Sequence, residues 1–102
     1  MDGYAYIWEF TVAEAHRPAF ERAYGPHGPW VALFRRAPGY LGTELLRDAA
    51  TPGRYLTVDR WASAAAYHAF HTEHGAAYAA IDVECEYLTE GERSLGEYAI
   101  PT

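Results

Sequence analysis

Hydrophobic and polar residues alternate along four stretches of this chain, which is the pattern of β-strands. The stretches are residues 4–12, 40–48, 54–61 and 83–89. Apolar residues instead recur at helical spacing over residues 13–24, 30–37 and 63–81, with Ser63 placed to cap the last helix. The pattern therefore predicts four strands and three helical segments.

The predicted elements follow the order strand, helix, strand, strand, helix, strand once the two short helical segments are taken together. This is the βαββαβ order of ferredoxin-like folds, an α+β class with a four-stranded antiparallel sheet. The turn at residues 49–53 is short enough to join the second and third strands as an antiparallel hairpin. Gly42, inside the second strand, indicates a bulge or a close backbone approach.

This order places the helices on one face of the sheet and leaves the second face bare. Four apolar residues are predicted to point to that second face: Ala5, Ile7, Leu56 and Val58. An exposed apolar face of this kind usually meets another chain. We therefore expect a homodimer that forms through the sheet face.

The chain has 102 residues, which suffices for one core, so residues 1–102 are predicted to form a single domain. Half of the residues are hydrophobic and 16% are aromatic, which favours a packed globular protein. No apolar run approaches the roughly 20 residues that span a bilayer, and the first residues lack the basic segment of a signal peptide. A cytoplasmic protein is expected.

The formal net charge is −6, with fourteen acids against eight arginines. Nucleic acids and anionic membrane surfaces are bound by basic surfaces, so neither is an expected partner. Lysine, asparagine and glutamine are absent. Cys85 is the only cysteine, which excludes an internal disulfide. Its place in an alternating run with Val83 and Tyr87 predicts a small buried apolar side chain, with a reactive thiol as the alternative.

Several segments of the chain resemble proteins of the antibiotic biosynthesis monooxygenase (ABM) family. They are YIWEFTV near the N-terminus, FERAYGPHGPWVALFRRAPGYLGTELLRD at residues 20–48, RYLTVDRWAS at 54–63, AYHAF at 66–70 and CEYLTEGERSLGEY at 85–98. The resemblance implies a dimeric α+β barrel in which two ferredoxin-like subunits pack sheet to sheet. The wider family includes cofactor-independent quinone-forming oxygenases and heme-degrading oxygenases, so the fold alone does not select a reaction.

The resemblance also implies a functional tryptophan at the corner between the third strand and the following helix, where Trp61 lies. Oxidation of an aromatic substrate without a cofactor needs a base near the substrate hydroxyl and a dry pocket that admits oxygen. Tyr67 and His71 on the helix are the candidate catalytic partners of Trp61, with Arg47 or Arg60 from the sheet as further candidates. The alternative is that Trp61 and Tyr67 are core aromatic residues.

A cavity in such a small α+β domain is expected between the aromatic sheet face and the helices. The aromatic residues predicted to bind a small aromatic ligand there are Trp8, Phe20, Trp30, Phe34 and Phe70. The chain contains no Gly-rich phosphate-binding motif or dinucleotide fingerprint, so no nucleotide cofactor is expected.

Three histidines, His68, His71 and His74, occur at every third position. Helical geometry does not bring them to one face, which favours a solvated helix surface over a metal site. His71 follows Trp61 by ten residues, the separation between a strand tryptophan and a heme-ligating histidine in heme-degrading relatives. Those relatives also use an asparagine from the first strand, which this chain lacks. We expect no cofactor, with heme as the alternative.

Glu9, Glu44 and Asp59 are acids within predicted strands. A buried carboxylate is costly unless it is paired, so each is expected to meet a hydroxyl, water or an arginine such as Arg47 or Arg60. A catalytic base is the alternative role for these acids.

Three functions remain open from the sequence. The first is a small monooxygenase that acts on an aromatic or quinone-type metabolite without metal or flavin. The second is a dimeric barrel that binds a small apolar metabolite without converting it. The third is a protein that binds or degrades heme.

Overall fold

The computed structural model describes residues 2–102, which form a four-stranded sheet with helices packed on one face. The strands are β1 (Gly3–Thr11), β2 (Tyr40–Arg47), β3 (Arg54–Trp61) and β4 (Gly91–Ile100). The helices are α1 (Arg17–Tyr24), α2 (Pro29–Phe34) and α3 (Ala64–Cys85), with single 3-10 turns at Glu14–His16 and Glu86–Leu88. No helix in this described part of the chain is both long and apolar enough to cross a membrane. The cytoplasmic location stays a prediction.

The strands pair in the order β2-β3-β1-β4, and each neighbouring pair is antiparallel. This arrangement confirms the predicted ferredoxin-like α+β fold and the hairpin between β2 and β3. The aromatic residues of β1 belong to the buried cluster beneath the helices. Because side chains alternate along a strand, the aromatic face of β1 is therefore the one that the helices cover.

The core between the sheet and the helices is largely aromatic. Its largest fully buried side chains are Trp61, Tyr55, Phe20, Phe70 and Val12. Ser63 caps α3 as predicted, because its hydroxyl accepts a hydrogen bond of 3.1 Å from the backbone N–H of Ala66. Cys85 is buried, also as predicted. Rings of this size fill the space between a short sheet and its helices with few side chains.

The predicted fourth strand at residues 83–89 is wrong. Helix α3 continues through Cys85 into a 3-10 turn, and β4 forms from the tail that follows. Val83 and Tyr87, which alternate with Cys85, are 70% and 64% exposed. Burial instead falls on Cys85 and Leu88, three residues apart, which is helical spacing. The alternation in this stretch was therefore not the pattern of a buried strand face.

Gly42 lies at a β-bulge, which confirms the prediction made from its place in the strand. Tyr40 pairs with Trp61 and Gly42 pairs with Arg60, so β2 holds one extra residue between these pairs. Gly42 has a φ of 154°, which favours glycine. The bulge brings Tyr40 and Thr43 to the same helix-facing side, although they are three residues apart.

The outer face of the sheet carries no helix and combines apolar residues with ion pairs. Its apolar residues are Ala5, Ile7, Leu46, Leu56, Val58 and Tyr98. Leu46 and Tyr98 are 43% and 49% exposed. Glu44 pairs with Arg60 on the same face. The predicted apolar face is therefore present without a helix over it, but Ala5 and Val58 are already buried in the single chain, and Ile7 and Leu56 are half-buried.

Candidate active site

A cavity of about 230 Å³ lies between the sheet and the helices, where the sequence predicted one. Its sheet side is formed by Trp8, Phe10, Thr43, Thr57, Asp59 and Glu92, and its helix side by Tyr24, Trp30, Phe34, Tyr78 and Asp82. The cavity is partly open to solvent. Aromatic rings make up most of its wall, so its shape and polarity suit a flat, mostly apolar ligand.

Asp59 places a carboxyl group inside this aromatic cavity. In the strand pairing it lies between Tyr6 of β1 and Thr43 of β2, and Thr43 Oγ1 donates a hydrogen bond of 2.7 Å to Asp59 Oδ1. No arginine or histidine of residues 2–102 forms an ion pair with it. Burial disfavours the charged carboxylate and raises the pKa of Asp59 to about 6, although the bond from Thr43 opposes the rise.

Two hydroxyl groups in series lead to the Asp59 carboxylate. Thr43 Oγ1 gives its one proton to Asp59, so it must accept the proton of the Tyr40 hydroxyl, 2.6 Å away. The bulge at Gly42 makes this contact possible because it turns both side chains inward. Oδ2 of Asp59 accepts no hydrogen bond from the described residues, which leaves that oxygen for a ligand.

The other two strand acids that the sequence singled out lie on the outer face of the sheet. Glu44 pairs with Arg60 at 2.8 Å, and Glu9 pairs with Arg54 at 2.6 Å. The hydrogen bond from Arg54 lowers the pKa of Glu9, the opposite direction to the shift at Asp59. Arg60, a candidate for the site from the sequence, is thus held away from the cavity.

The structure places three of the five residues predicted to bind substrate in the cavity wall. These are Trp8, Trp30 and Phe34. Phe20 and Phe70 are fully buried in the core, and Phe70 packs against Phe34 with ring centroids 5.2 Å apart. Phe70 therefore supports a ring of the wall from behind, and direct binding by Phe20 or Phe70 stays a prediction.

The three residues predicted to be catalytic lie together behind this wall, with Trp61 buried and Tyr67 and His71 half-buried. Ring centroids are 5.9 Å apart for Trp61 and Tyr67 and 4.6 Å apart for Tyr67 and His71. Trp61 is 1% exposed, and none of the three lines the cavity. Burial raises the pKa of Tyr67 and lowers that of His71, so both are uncharged near pH 7. Their catalytic role stays a prediction, while Arg47, the remaining candidate, pairs with Glu21 at 2.7 Å.

Whether His71 could ligate a heme depends on what surrounds its ring. Its ring packs against Tyr67, Phe70 and Tyr78, with centroids 4.6, 5.1 and 4.9 Å away. An axial ligand must face a cavity that admits the porphyrin, and His71 does not line the cavity of about 230 Å³. The residues present therefore do not fit heme ligation through His71.

This chain matches one protein family over most of its length. The model of the family described as antibiotic biosynthesis monooxygenase matches residues 4–82. The chain belongs to this family. The matched segment contains every residue that lines the cavity except Glu92. None of the curated protein sequences matches the chain.

Solved structures share the fold of this ABM protein. SnoaB from Streptomyces nogalater, a cofactor-independent oxygenase, is 21% identical with a TM-score of 0.71, over 100% of this chain and 96% of that chain. The monooxygenase ActVA-Orf6 of Streptomyces coelicolor, solved with nanaomycin D, is 15% identical with a TM-score of 0.77, over 99% and 89%. A mutant of MhuD with two manganese protoporphyrin IX molecules per active site is 23% identical with a TM-score of 0.73, over 97% and 95%. At these identities the likeness establishes the fold alone.

The hydrogen bond between Thr43 and Asp59, which fixes a carboxyl group in the cavity wall, was not predicted from the sequence. Alternation along β3 was the available signal, because Asp59 shares a face with Trp61 whereas Glu9 and Glu44 fall on the opposite face. Residues of the wall that were also missed are Phe10, Tyr24 and Tyr78.

Proposed function

We propose that this protein is a cofactor-independent monooxygenase that oxidises a small hydroxylated aromatic compound, with Asp59 as the base. The position of Asp59 carries the proposal: its carboxyl group lies in an aromatic cavity without a cationic partner. Membership of the ABM family supports this reaction class. The fold shared with SnoaB, a cofactor-independent oxygenase, also supports it.

In the proposed reaction Asp59 Oδ2 first takes the proton of the substrate hydroxyl. The resulting phenolate is much richer in electrons than the phenol, so it can react with O₂ directly. The ring carbon opposite the hydroxyl becomes a carbonyl with one oxygen atom of O₂, and the other oxygen atom leaves as water with the two hydrogens lost by the substrate. The substrate supplies all of the electrons, so the reaction consumes no external reductant.

The pKa of Asp59 suits this role. At pH 7 a carboxyl group with a pKa of about 6 is mostly deprotonated, yet it is more basic than an ordinary aspartate with a pKa near 3.8. Glu9 and Glu44 lack this combination because each is paired with an arginine outside the cavity. The bond from Thr43 also fixes the carboxylate, so Oδ2 has a defined position.

The aromatic wall provides the other requirements of the reaction. Trp8 of β1 and Trp30 of α2 lie on opposite sides of the cavity and can hold a flat ring between the sheet and the helices. The aromatic side chains of the wall replace part of the water around the phenolate, which increases the electrostatic effect of nearby groups. Trp61 and Tyr67 would act on the substrate only through these lining residues.

We also propose that two copies of this chain pair through the outer sheet face. Leu46 and Tyr98 are large apolar residues exposed on that face in the single chain, and Leu56 and Val58 lie between them. A second copy would cover this strip without closing the cavity, which lies on the helix-covered side of the sheet.

Oxygen uptake with a panel of 1-naphthols and anthrones, in which the ring carbon opposite the hydroxyl carries hydrogen, tests the proposed reaction. We expect the wild-type protein to consume O₂ and form the quinone, and Asp59→Asn to reduce kcat/KM by about 100-fold or more. Glu44→Gln is the matched control, because it neutralises a strand acid outside the cavity, and we expect it to retain the wild-type rate. Wild-type turnover by Asp59→Asn would exclude Asp59 as the base. A wild-type protein that binds these compounds without O₂ uptake would instead be a binding protein.

A further inference from the structure

The charged side chains that line the cavity all have the same sign. They are Asp59 of β3, Asp82 of α3 and Glu92 of β4. Within the described residues, no arginine or histidine lines the cavity. An anionic ligand would therefore meet three carboxyl groups and no compensating positive charge.

A second depression of about 280 Å³ continues the acidic surface outside the cavity. It shares Tyr24, Asp82 and Glu92 with the first cavity and adds Glu86. Burial raises the pKa of Glu92, and the charge of Asp82 raises it further. These like charges repel one another where the two cavities meet, and a cation placed between them would relieve the repulsion.

The aromatic rings of the wall complement the carboxyl groups. Tyr24 and Trp30 have ring centroids 5.8 Å apart, and Trp30 and Tyr78 have centroids 4.9 Å apart. The faces of tryptophan and tyrosine rings attract ammonium groups, and aromatic cages bind cationic ligands in this way. The aromatic rings and the carboxylates of this wall therefore each attract a positively charged group.

We propose that the cavity selects aromatic substrates that carry a positively charged amine and excludes those that carry a carboxylate or phosphate. The inference rests on the proposed function, because it assigns the hydroxyl end of the substrate to Asp59. The amine end then lies beside Asp82 and Glu92, where the two cavities meet. The carboxylates there also raise the local concentration of cations and so guide such substrates inward.

Calorimetric titration under nitrogen tests the inference without requiring turnover. The probes are three hydroxynaphthalenes with the same ring and different side chains: aminoethyl, hydroxyethyl and carboxymethyl. We expect the amine to bind most tightly and the carboxylate most weakly, with Kd values that differ by about tenfold or more. Added salt should reduce this difference.

Two variants and a matched control locate the selectivity. Asp82→Asn and Glu92→Gln should each reduce the preference for the amine. Glu73→Gln should leave it unchanged, because it removes the same charge from an exposed position of α3 that lines neither cavity. Equal binding of the three probes, tighter binding of the carboxylate, or no binding of any probe would overturn the inference. A protein that prefers the amine but consumes no O₂ would contradict the proposed reaction and leave the charge selectivity standing.

Discussion

Thr43 and Asp59 face each other across the β2–β3 pair, joined by a hydrogen bond of 2.7 Å from Oγ1 to Oδ1. Burial raises the pKa of Asp59, and this bond lowers it, so the value of about 6 is a balance of the two effects. Tyr40 contributes indirectly by donating to Thr43. Substitutions at these residues can change each effect separately.

The first prediction concerns Thr43→Val, which removes the hydroxyl while keeping the shape of the side chain. Loss of a hydrogen bond to the charged carboxylate raises the pKa of Asp59 further. Because the base must be deprotonated, the fall of kcat/KM on the acid side should move to higher pH by roughly one unit. The pH profile of oxygen uptake measures this change.

Thr57→Val is the matched control for this prediction. Thr57 is buried, lines the same cavity and forms no hydrogen bond with Asp59. We expect its pH profile to keep the wild-type position, even if the rate changes. A profile that moves equally in both variants would show that the hydrogen bond does not set the pKa.

The second prediction is that Asp59→Asn stabilises the protein at pH 7 while it removes activity. Asp59 has a pKa of about 6 when folded and an ordinary value of 3.8, so its charge costs folding energy once the pH exceeds this range. At about 1.4 kcal/mol per pKa unit the cost reaches about 3 kcal/mol, and we expect about 2 because the cavity admits solvent. The advantage of the variant should shrink as the pH falls from 6 to 4, where wild-type Asp59 becomes protonated.

Thermal and urea unfolding at pH 7 and pH 4 measure this difference in stability. Glu44→Gln provides the comparison, since it breaks an exposed ion pair that contributes little. A lower melting temperature for Asp59→Asn at pH 7 would mean that the folded protein favours the charged carboxylate.

The fold was predictable because local patterns and tertiary packing agree over most of the chain. β3 was predicted at the bounds it adopts, and Ser63 caps the next helix as expected. The pattern failed at the end of α3, where alternating apolar residues coincided with a helix whose buried positions are Cys85 and Leu88. Periodicity in a short segment cannot separate these cases, because a few residues satisfy both templates.

The alternation of residues predicted which face of the sheet carries the site, but not the side-chain contacts within it. Alternation placed Trp8 and Asp59 on the inner side of the sheet, and both line the cavity. It could not reveal that Thr43 would reach Asp59, because that contact depends on pairing between strands and on the bulge at Gly42. Nor could it reveal that Trp61 would be enclosed by other rings, because depth in a core depends on the packing of all elements.

The third prediction concerns heme. Because His71 is packed among aromatic rings, we expect titration with hemin to give no Soret band that depends on this residue. Absorption spectra of the wild-type protein and His71→Ala measure the effect, with His68→Ala as a control on an exposed turn of the same helix. A band present in the wild type and lost only in His71→Ala would restore the heme hypothesis.

The fourth prediction concerns the outer sheet face. Leu56→Glu places a charge in the apolar strip and should convert the proposed dimer into a monomer, because an unpaired buried charge costs several kcal/mol. Val83→Glu makes a similar change on an exposed position of α3 and should leave the dimer intact. Light scattering after size-exclusion chromatography measures the mass. A monomeric wild-type protein would contradict the proposed assembly.

The last prediction separates the two roles open to Trp61. Its indole packs against Phe34, Tyr40 and Phe70, with ring centroids 5.8, 5.3 and 5.2 Å away, so the smaller ring of Trp61→Phe leaves space in the core. We expect a loss of about 1–3 kcal/mol in the free energy of unfolding, measured in urea. The rate per folded molecule then decides the role: a further fall in kcat would support the catalytic function implied by family resemblance, and an unchanged kcat would assign the indole to the core. Val12→Ala, which removes volume from a fully buried residue that does not line the cavity, controls for indirect effects of packing on the rate.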